Sequence, residues 1–230
     1  KFLESIGVDA IIVADMGIFS LAKRVAPGLE LHVSTQASTT NWHTVQMWKE
    51  LGATRVVAAR EVSLADLKEM KDNVDIEIES FVHGSMCISY SGRCLLSNYM
   101  TGNRDANRGQ CSQSCRWKYS LVESNRPGEY YPIEEDEHGT YIFNSKDLCL
   151  IHRIPDLYEA GVDSLKIEGR MKSVHYCATV AKVYRTAIDT YLKEGKDWYV
   201  RPEWIAELEK ISHRPYTDGF AEGRPDETAQ

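Results

Sequence analysis

No apolar run in this chain approaches the roughly 20 residues needed to cross a bilayer as a helix. The longest clear one is Ala10–Ala14. The opening Lys1-Phe2-Leu3-Glu4 has neither a basic cluster nor an apolar core, so no signal peptide is expected. A start without Met is what a fragment of a longer protein would show. Positive charge is in deficit, with 27 Lys and Arg against 34 Asp and Glu and a net charge of −7. That excludes a uniformly basic nucleic-acid binder but leaves room for a local basic patch. Six cysteines among 230 residues are too few for a disulfide scaffold, and no pair has the tight C-x2-C spacing of a zinc ribbon. Also missing are an HExxH helix, a GxSxG elbow and a Gly-rich phosphate turn after any strand. What remains is a globular composition, 43% hydrophobic and 27% charged, expected to be cytoplasmic with no membrane or DNA partner.

The dominant pattern is an alternation of strands and helices. Ala10–Asp15 is short, β-branched and apolar, as expected of a strand buried on both faces. Comparable strands are expected at Leu31–Thr35, Arg55–Ala59, Ile76–Val82 and Ser164–Glu168. Helical segments fill Met16–Val25, Asn41–Leu51 and Ser63–Asn73, with Asn41 and Ser63 as N-caps and Gly52 just past a C-terminus. A small motif recurs at strand entrances: Gly7-Val-Asp-Ala10, Gly52-Ala-Thr-Arg55 and Gly161-Val-Asp-Ser164. Units of this size build a parallel sheet covered by helices. The fold class expected is α/β, a (β/α)8 TIM-type barrel lacking about three N-terminal βα units, with an open doubly wound sheet as the alternative. The barrel portion is assigned to residues 1–197. Within it, Ser173–Lys193 reads as a helix with an apolar face through Cys177, Val180, Ala181, Tyr184, Ala187, Ile188 and Tyr191. Residues 198–230 read as a short helix, Pro202–Ile211, and a polar tail leading toward a small β-domain not present here.

The alternation breaks at residues 84–144, a Cys-rich insertion far longer than an ordinary βα loop. An insertion after a strand's C-terminal end sits where barrel enzymes keep their active sites. From Phe81 to Val122 five Arg and Lys face a single Asp, whereas Glu123–Glu137 holds six acids and one Arg. The basic half carries Cys87, Cys94, Cys111 and Cys115, and Cys149 follows the insertion. Thiolates spread over loops suit an iron–sulfur cluster, which tolerates irregular spacing. A zinc site, a redox pair or unligated thiols remain alternatives. Cys177, on its helix face, reads as a small core residue.

The segment Glu79-Ser-Phe-Val-His-Gly-Ser-Met-Cys-Ile-Ser-Tyr-Ser-Gly-Arg-Cys-Leu-Leu-Ser97 resembles the signature of peptidase family U32, the collagenase-like proteases. Asn107-Arg-Gly-Gln-Cys-Ser-Gln-Ser-Cys-Arg-Trp117 and Ser164-Leu-Lys-Ile-Glu-Gly-Arg-Met-Lys172 are similar to it as well, so the resemblance spans nearly the whole chain. Arg116-Trp-Lys-Tyr119 and Ser212-His-Arg-Pro-Tyr216 look most like the branch that hydroxylates the tRNA wobble uridine to 5-hydroxyuridine using prephenate. The resemblance implies a (β/α)8 barrel, tRNA as partner, prephenate as co-substrate and a 4Fe–4S cluster held by Cys87, Cys94, Cys111 and Cys149. Another relative's spacing keeps Cys115 in contention, and a second family member is a conceivable partner.

Further candidates lie at strand ends: Asp15, Gln36, Arg60, Glu61, His83, Glu168 and Arg170. Catalytic roles are expected of Arg60, Glu61, His83, Glu168 and Arg170. Prephenate is a dicarboxylate, so Arg60, Arg170 and Lys172 are expected to bind it. Ion pairs closing the barrel mouth are the alternative for the Arg–Glu pairs. Arg104, Arg108, Trp117 and Lys118 are expected to hold RNA, with Trp117 and Tyr119 stacking a splayed base. Two other functions stand beside the hydroxylase: a collagenase-like peptidase using Cys87 and His83, and a non-enzymatic zinc- or RNA-binding protein.

Overall fold

The computed structural model describes residues 1–87, 89–91, 94–117, 120–121, 131–132 and 146–223. A short helix, α1 (Phe2–Ser5), leads into β1 (Ala10–Val13), α2 (Met16–Val25), β2 (Glu30–Val33), α3 (Trp42–Leu51), β3 (Arg55–Val57), α4 (Leu64–Asn73) and β4 (Glu77–Ser85). The insertion contributes α5 (Leu96–Thr101), β5 (Ser120–Leu121) and β6 (Tyr131–Pro132). Then come β7 (Asp147–Cys149), α6 (Ile154–Glu159), β8 (Ser164–Ile167), α7 (Val174–Glu194), α8 (Pro202–Glu209) and β9 (Tyr216–Thr217). The chain divides into two compact units, one of Lys1–Met86 with Lys146–Gln230 and the other Cys87–Ser145.

In the first unit β1, β2, β3, β4 and β8 run parallel in chain order. These are the five strands the alternation foretold. Among the described residues the sheet runs β1-β2-β3-β4-β7-β9 with β8 branching from β4, and it does not close into a ring. The helix starts follow local chemistry. Asn41 accepts the Thr44 amide at 3.0 Å, and Ser63 with Asp66 forms a reciprocal capping box. The three glycines of the recurring strand-entrance motif, Gly7, Gly52 and Gly161, all have positive φ, which lets each helix stop and the chain turn into the next strand. In the third copy Asp163 also accepts the Ile78 amide and Lys71 Nζ, both at 2.8 Å, tying that turn to β4.

The core lies between the sheet and its helices. Val33, Val56, Ile78 and Val82 meet Val45, Trp48, Leu67, Met70, Leu157 and Val180, all buried. The opposite sheet face departs from the expected two-sided apolar burial. Ile12 is 54% exposed, and Arg55, Glu77, Glu79 and Lys166 stand side by side there through the parallel registers. Burial by itself would raise the Glu79 pKa. Hydrogen bonds from Lys166 (2.6 Å) and Ser164 (2.8 Å), with the charges of Lys166 and Arg55, hold it below the usual carboxylate range.

Three other sequence readings need correction. The buried face of α7 runs through Tyr176, Val180, Val183, Tyr184 and Ala187. It is rotated by about one residue from the expected stripe, and Cys177 is exposed rather than core. One Cys among apolar neighbours reads equally well on either side of such a boundary. The tail, expected to be merely polar, supplies β9, which pairs in parallel with β7. A two-residue strand is too short to leave a periodic signal. Finally, β4 is longer than expected, and beyond the end of β3 it pairs antiparallel with β7, Ser85 opposite Asp147.

Candidate functional site

The C-terminal ends of β4 and β8 and the first turn of α7 gather most of the first unit's unusual chemistry. Gly84 sits in β4 with φ +111°, and a Cβ there would lie 2.2 Å from the Glu168 carbonyl oxygen. Only glycine permits this close approach, which follows a bulge at Phe81/His83 and ends with the Glu168 amide donating to the His83 carbonyl at 2.8 Å.

His83 is 1% exposed and surrounded by the rings of Tyr176, Tyr184 and Tyr216 at centroid distances of 5.4–6.0 Å. The Tyr184 hydroxyl donates to the Val82 carbonyl at 2.7 Å. Its oxygen is therefore left to accept from His83 Nδ1 at 3.5 Å. Burial, opposed by Asp147 and reinforced by His213 and Lys172, lowers the His83 pKa to about 4. The ring is thus neutral near pH 7, with Nε2 as an acceptor that has no partner in this unit. Tyr176 Oη, Ser85 Oγ and Glu168 Oε2 are likewise buried without partners. Asp147 is 0% exposed. Lys172 reaches it at 3.5 Å while donating to the Ser212 carbonyl at 2.8 Å and lying over the Tyr176 ring.

The predicted strand-end residues have separate surroundings. Asp15 caps α2 by accepting the Ile18 amide at 2.8 Å. Gln36 lies in a single 3-10 turn, Thr35–Ala37. Arg60 stacks on Phe81 at 3.9 Å and, with Ser80, Asp218 and Phe220, lines a cavity of about 20 Å³, room for one water molecule. Glu61 follows it in the chain. Glu168 accepts the Arg170 amide at 3.1 Å, and Arg170 itself is exposed. Lys172 pairs with Asp147. The sheet-face group Arg55, Glu79 and Lys166 was missed, although alternating charges within expected strands could have flagged it.

Cys149 lies on β7 in the first unit. Burial pushes its thiol pKa up, opposed by a backbone hydrogen bond at Ile151. Cys87, Cys94, Cys111 and Cys115 belong to the second unit, all half-buried. Burial raises the Cys115 pKa. Arg116 counters it, and Cys87, Cys111 and Cys94 add repulsion, so these four thiols share one electrostatic neighbourhood. The Gln113 amide donates to Cys111 Sγ at 3.4 Å. This donor chemistry fits a thiophilic metal group. The fit rests on chemistry alone, because among the described residues no three His, Cys, Asp or Glu side chains converge as a metal site. Arg104 and Arg108 are exposed in the same unit, as is Trp117. Arg93, Lys118 and Tyr119 lie outside the described residues.

No helix among the described residues is long and apolar enough to cross a membrane. The family model described as peptidase family U32 matches residues 1–230. A protein of Bacillus subtilis, "tRNA hydroxylation protein P1", is 51% identical over 98% of this chain and 53% of its own length. The Escherichia coli "tRNA hydroxylation protein P" is 42% identical over 96% of this chain and 56% of its own. A Methanocaldococcus jannaschii protein named as an uncharacterized protease is 43% identical over 95% and 53%. The chain spans about half the length of these relatives.

Proposed function

Since the chain belongs to peptidase family U32, we propose that it is part of an oxygen-independent RNA hydroxylase that converts the tRNA wobble uridine to 5-hydroxyuridine with prephenate as co-substrate. The observation that carries this reading is the 51% identity, across nearly the entire chain, to a protein named for tRNA hydroxylation. On this reading the open sheet is five strands of a (β/α)8 barrel. Its exposed β1 edge, with Ile12, Met16 and Ile18 bare to solvent, suits further βα units. The reaction is assigned to the cytoplasm.

A 4Fe–4S cluster is proposed on Cys87, Cys94 and Cys111, with Cys149 as the fourth ligand; when bound, it would supply electron-transfer or Lewis-acid chemistry. Cys115 is the alternative fourth ligand, favoured by its electrostatic coupling to the other three thiols. Arg60, Arg170 and Lys172 are proposed for the carboxylates of prephenate. Glu61 and Glu168 are proposed as catalytic carboxylates. Neutral His83 would accept a hydrogen bond, its Nε2 carrying no proton.

The test is mass spectrometry of tRNA nucleosides from cells lacking the full-length gene, beside anaerobic iron analysis of the protein. Loss of hydroxyuridine-derived wobble bases and a brown protein support the reading. Unchanged tRNA with colourless, zinc-loaded protein refutes it. Iron surviving Cys149→Ser but lost in Cys115→Ser would exchange the fourth ligand. The family's protease name motivates a second reading as a peptidase. It predicts cleavage of denatured collagen by wild-type protein, abolished in Cys87→Ser. The enclosure of His83 argues against that dyad.

A further inference from the structure

We propose that the outer face of α5, with the Arg108 turn beside it, is a platform on which an unpaired RNA base stacks while its phosphate meets a guanidinium. This rests on the RNA-hydroxylase reading and names the surface by which the second unit would take its RNA.

The inner side of α5 is fastened by polar contacts. Ser97 Oγ lies 3.0 Å from Ser112 Oγ and accepts the Ser112 amide at 2.9 Å. Asn98 Nδ2 donates to Asp105 at 2.5 Å. Thr101 Oγ1 donates to the Ser97 carbonyl and accepts the Arg104 amide. These bonds settle which way the helix faces. Its outer side then carries Leu95 at the N-cap and Tyr99 four residues on, one above the other. Tyr99 is 83% exposed and Leu95 hardly less so. The usual amphipathic arrangement is reversed, with small polar side chains inward and the large apolar ones in water. Hydrophobic burial within this unit cannot explain that choice.

Cations are tied to the same helix. Asp105, which holds Asn98, also pairs with Arg108 at 3.4 Å and so orients a side chain that is 79% exposed. Arg104 is steadied by donating Nε to the Gln110 carbonyl at 3.1 Å. The described residues of this unit carry three Arg and a single Asp, in a chain whose net charge is −7. A polyanion with exposed flat faces would complement that patch, and unpaired RNA is one. Duplex nucleic acid offers phosphates but keeps its bases stacked away from Tyr99.

The test uses full-length protein, fluorescence anisotropy with unmodified tRNA and with oligouridine, and hydroxyuridine formation by the wild type as reference. Tyr99→Ala should weaken binding of both RNAs about 5- to 150-fold, the worth of one stacked base. Tyr99→Trp should retain affinity, whereas Tyr99→Leu, which keeps apolar area without a ring, should lose it. Arg108→Ala should weaken binding and reduce the salt slope by about one unit. If wild-type protein hydroxylates tRNA while Tyr99→Ala or Tyr99→Leu binds as tightly, the platform is overturned and the hydroxylase reading stands. A wild type that neither binds nor modifies tRNA overturns both.

Discussion

Asp147 is fully enclosed, and taking a carboxylate that far from water is costly unless cations and amides answer it. Lys172 at 3.5 Å and the Arg214 amide at 3.3 Å do so. Lys172→Met should therefore destabilise the fold by about 3–5 kcal/mol in urea unfolding, and adding Asp147→Leu should recover part of that loss. His83 gives a pH dependence. Its folded pKa of about 4 lies below the unfolded value of 6.5, so between those values the unfolded chain binds the extra proton. The stability due to the neutral ring is complete above pH 6.5 and is lost as pH falls through 4, up to about 3 kcal/mol. A His83→Gln variant should show a flatter stability curve across that window. At this scale the sequence is legible where chemistry is local, as in the caps at Asn41 and Ser63. Asp147 was invisible because its partners come from positions 172 and 214, far along the chain.

Among the elements, β4 carries the most demands. It pairs with β3, β7 and β8, and Gly84 allows the last of these by bringing the strand against Glu168. Gly84→Ala has positive φ and backbone overlap against it. The expected result is loss of more than about 1 kcal/mol, measured as a fall in Tm, with poor soluble yield. By contrast Ser63→Ala removes only one side of the α4 capping box and should cost about 1 kcal/mol. The five parallel strands and their helices were readable because each unit repeats the same glycine turn. The antiparallel β7 and the two-residue β9 were not, since neither is long enough to show alternation.

For the whole molecule, five strands in order emerge from periodicity, whereas their closure does not. Phe2, Ile6, Ile12, Met16 and Ile18 are exposed along α1, β1 and α2, a concentration of apolar surface unusual for an isolated chain. Residues 1–230 expressed alone should self-associate in size-exclusion chromatography and bind a hydrophobic dye. The Ile12→Lys/Ile18→Glu pair should reduce both. Full-length protein should show neither behaviour if further βα units cover this edge. The cysteine neighbourhood was legible as chemistry, through clustered thiols in a basic segment. Its partition was not, because spacing cannot reveal that Cys149 and the other four belong to different units.

The pairing of Ser85 with Asp147 brings the two ends of the insertion to adjacent positions on neighbouring strands, roughly 5 Å apart. The chain thus leaves the sheet and re-enters it, roughly 60 residues later, at one place. A two-residue Asn-Gly turn could join β4 to β7 directly and make an ordinary hairpin. The trimmed protein would lose its clustered thiols and should still fold. In that sense the fold is a chassis and the Cys-rich unit a cartridge, open to replacement by an engineer without rebuilding the sheet.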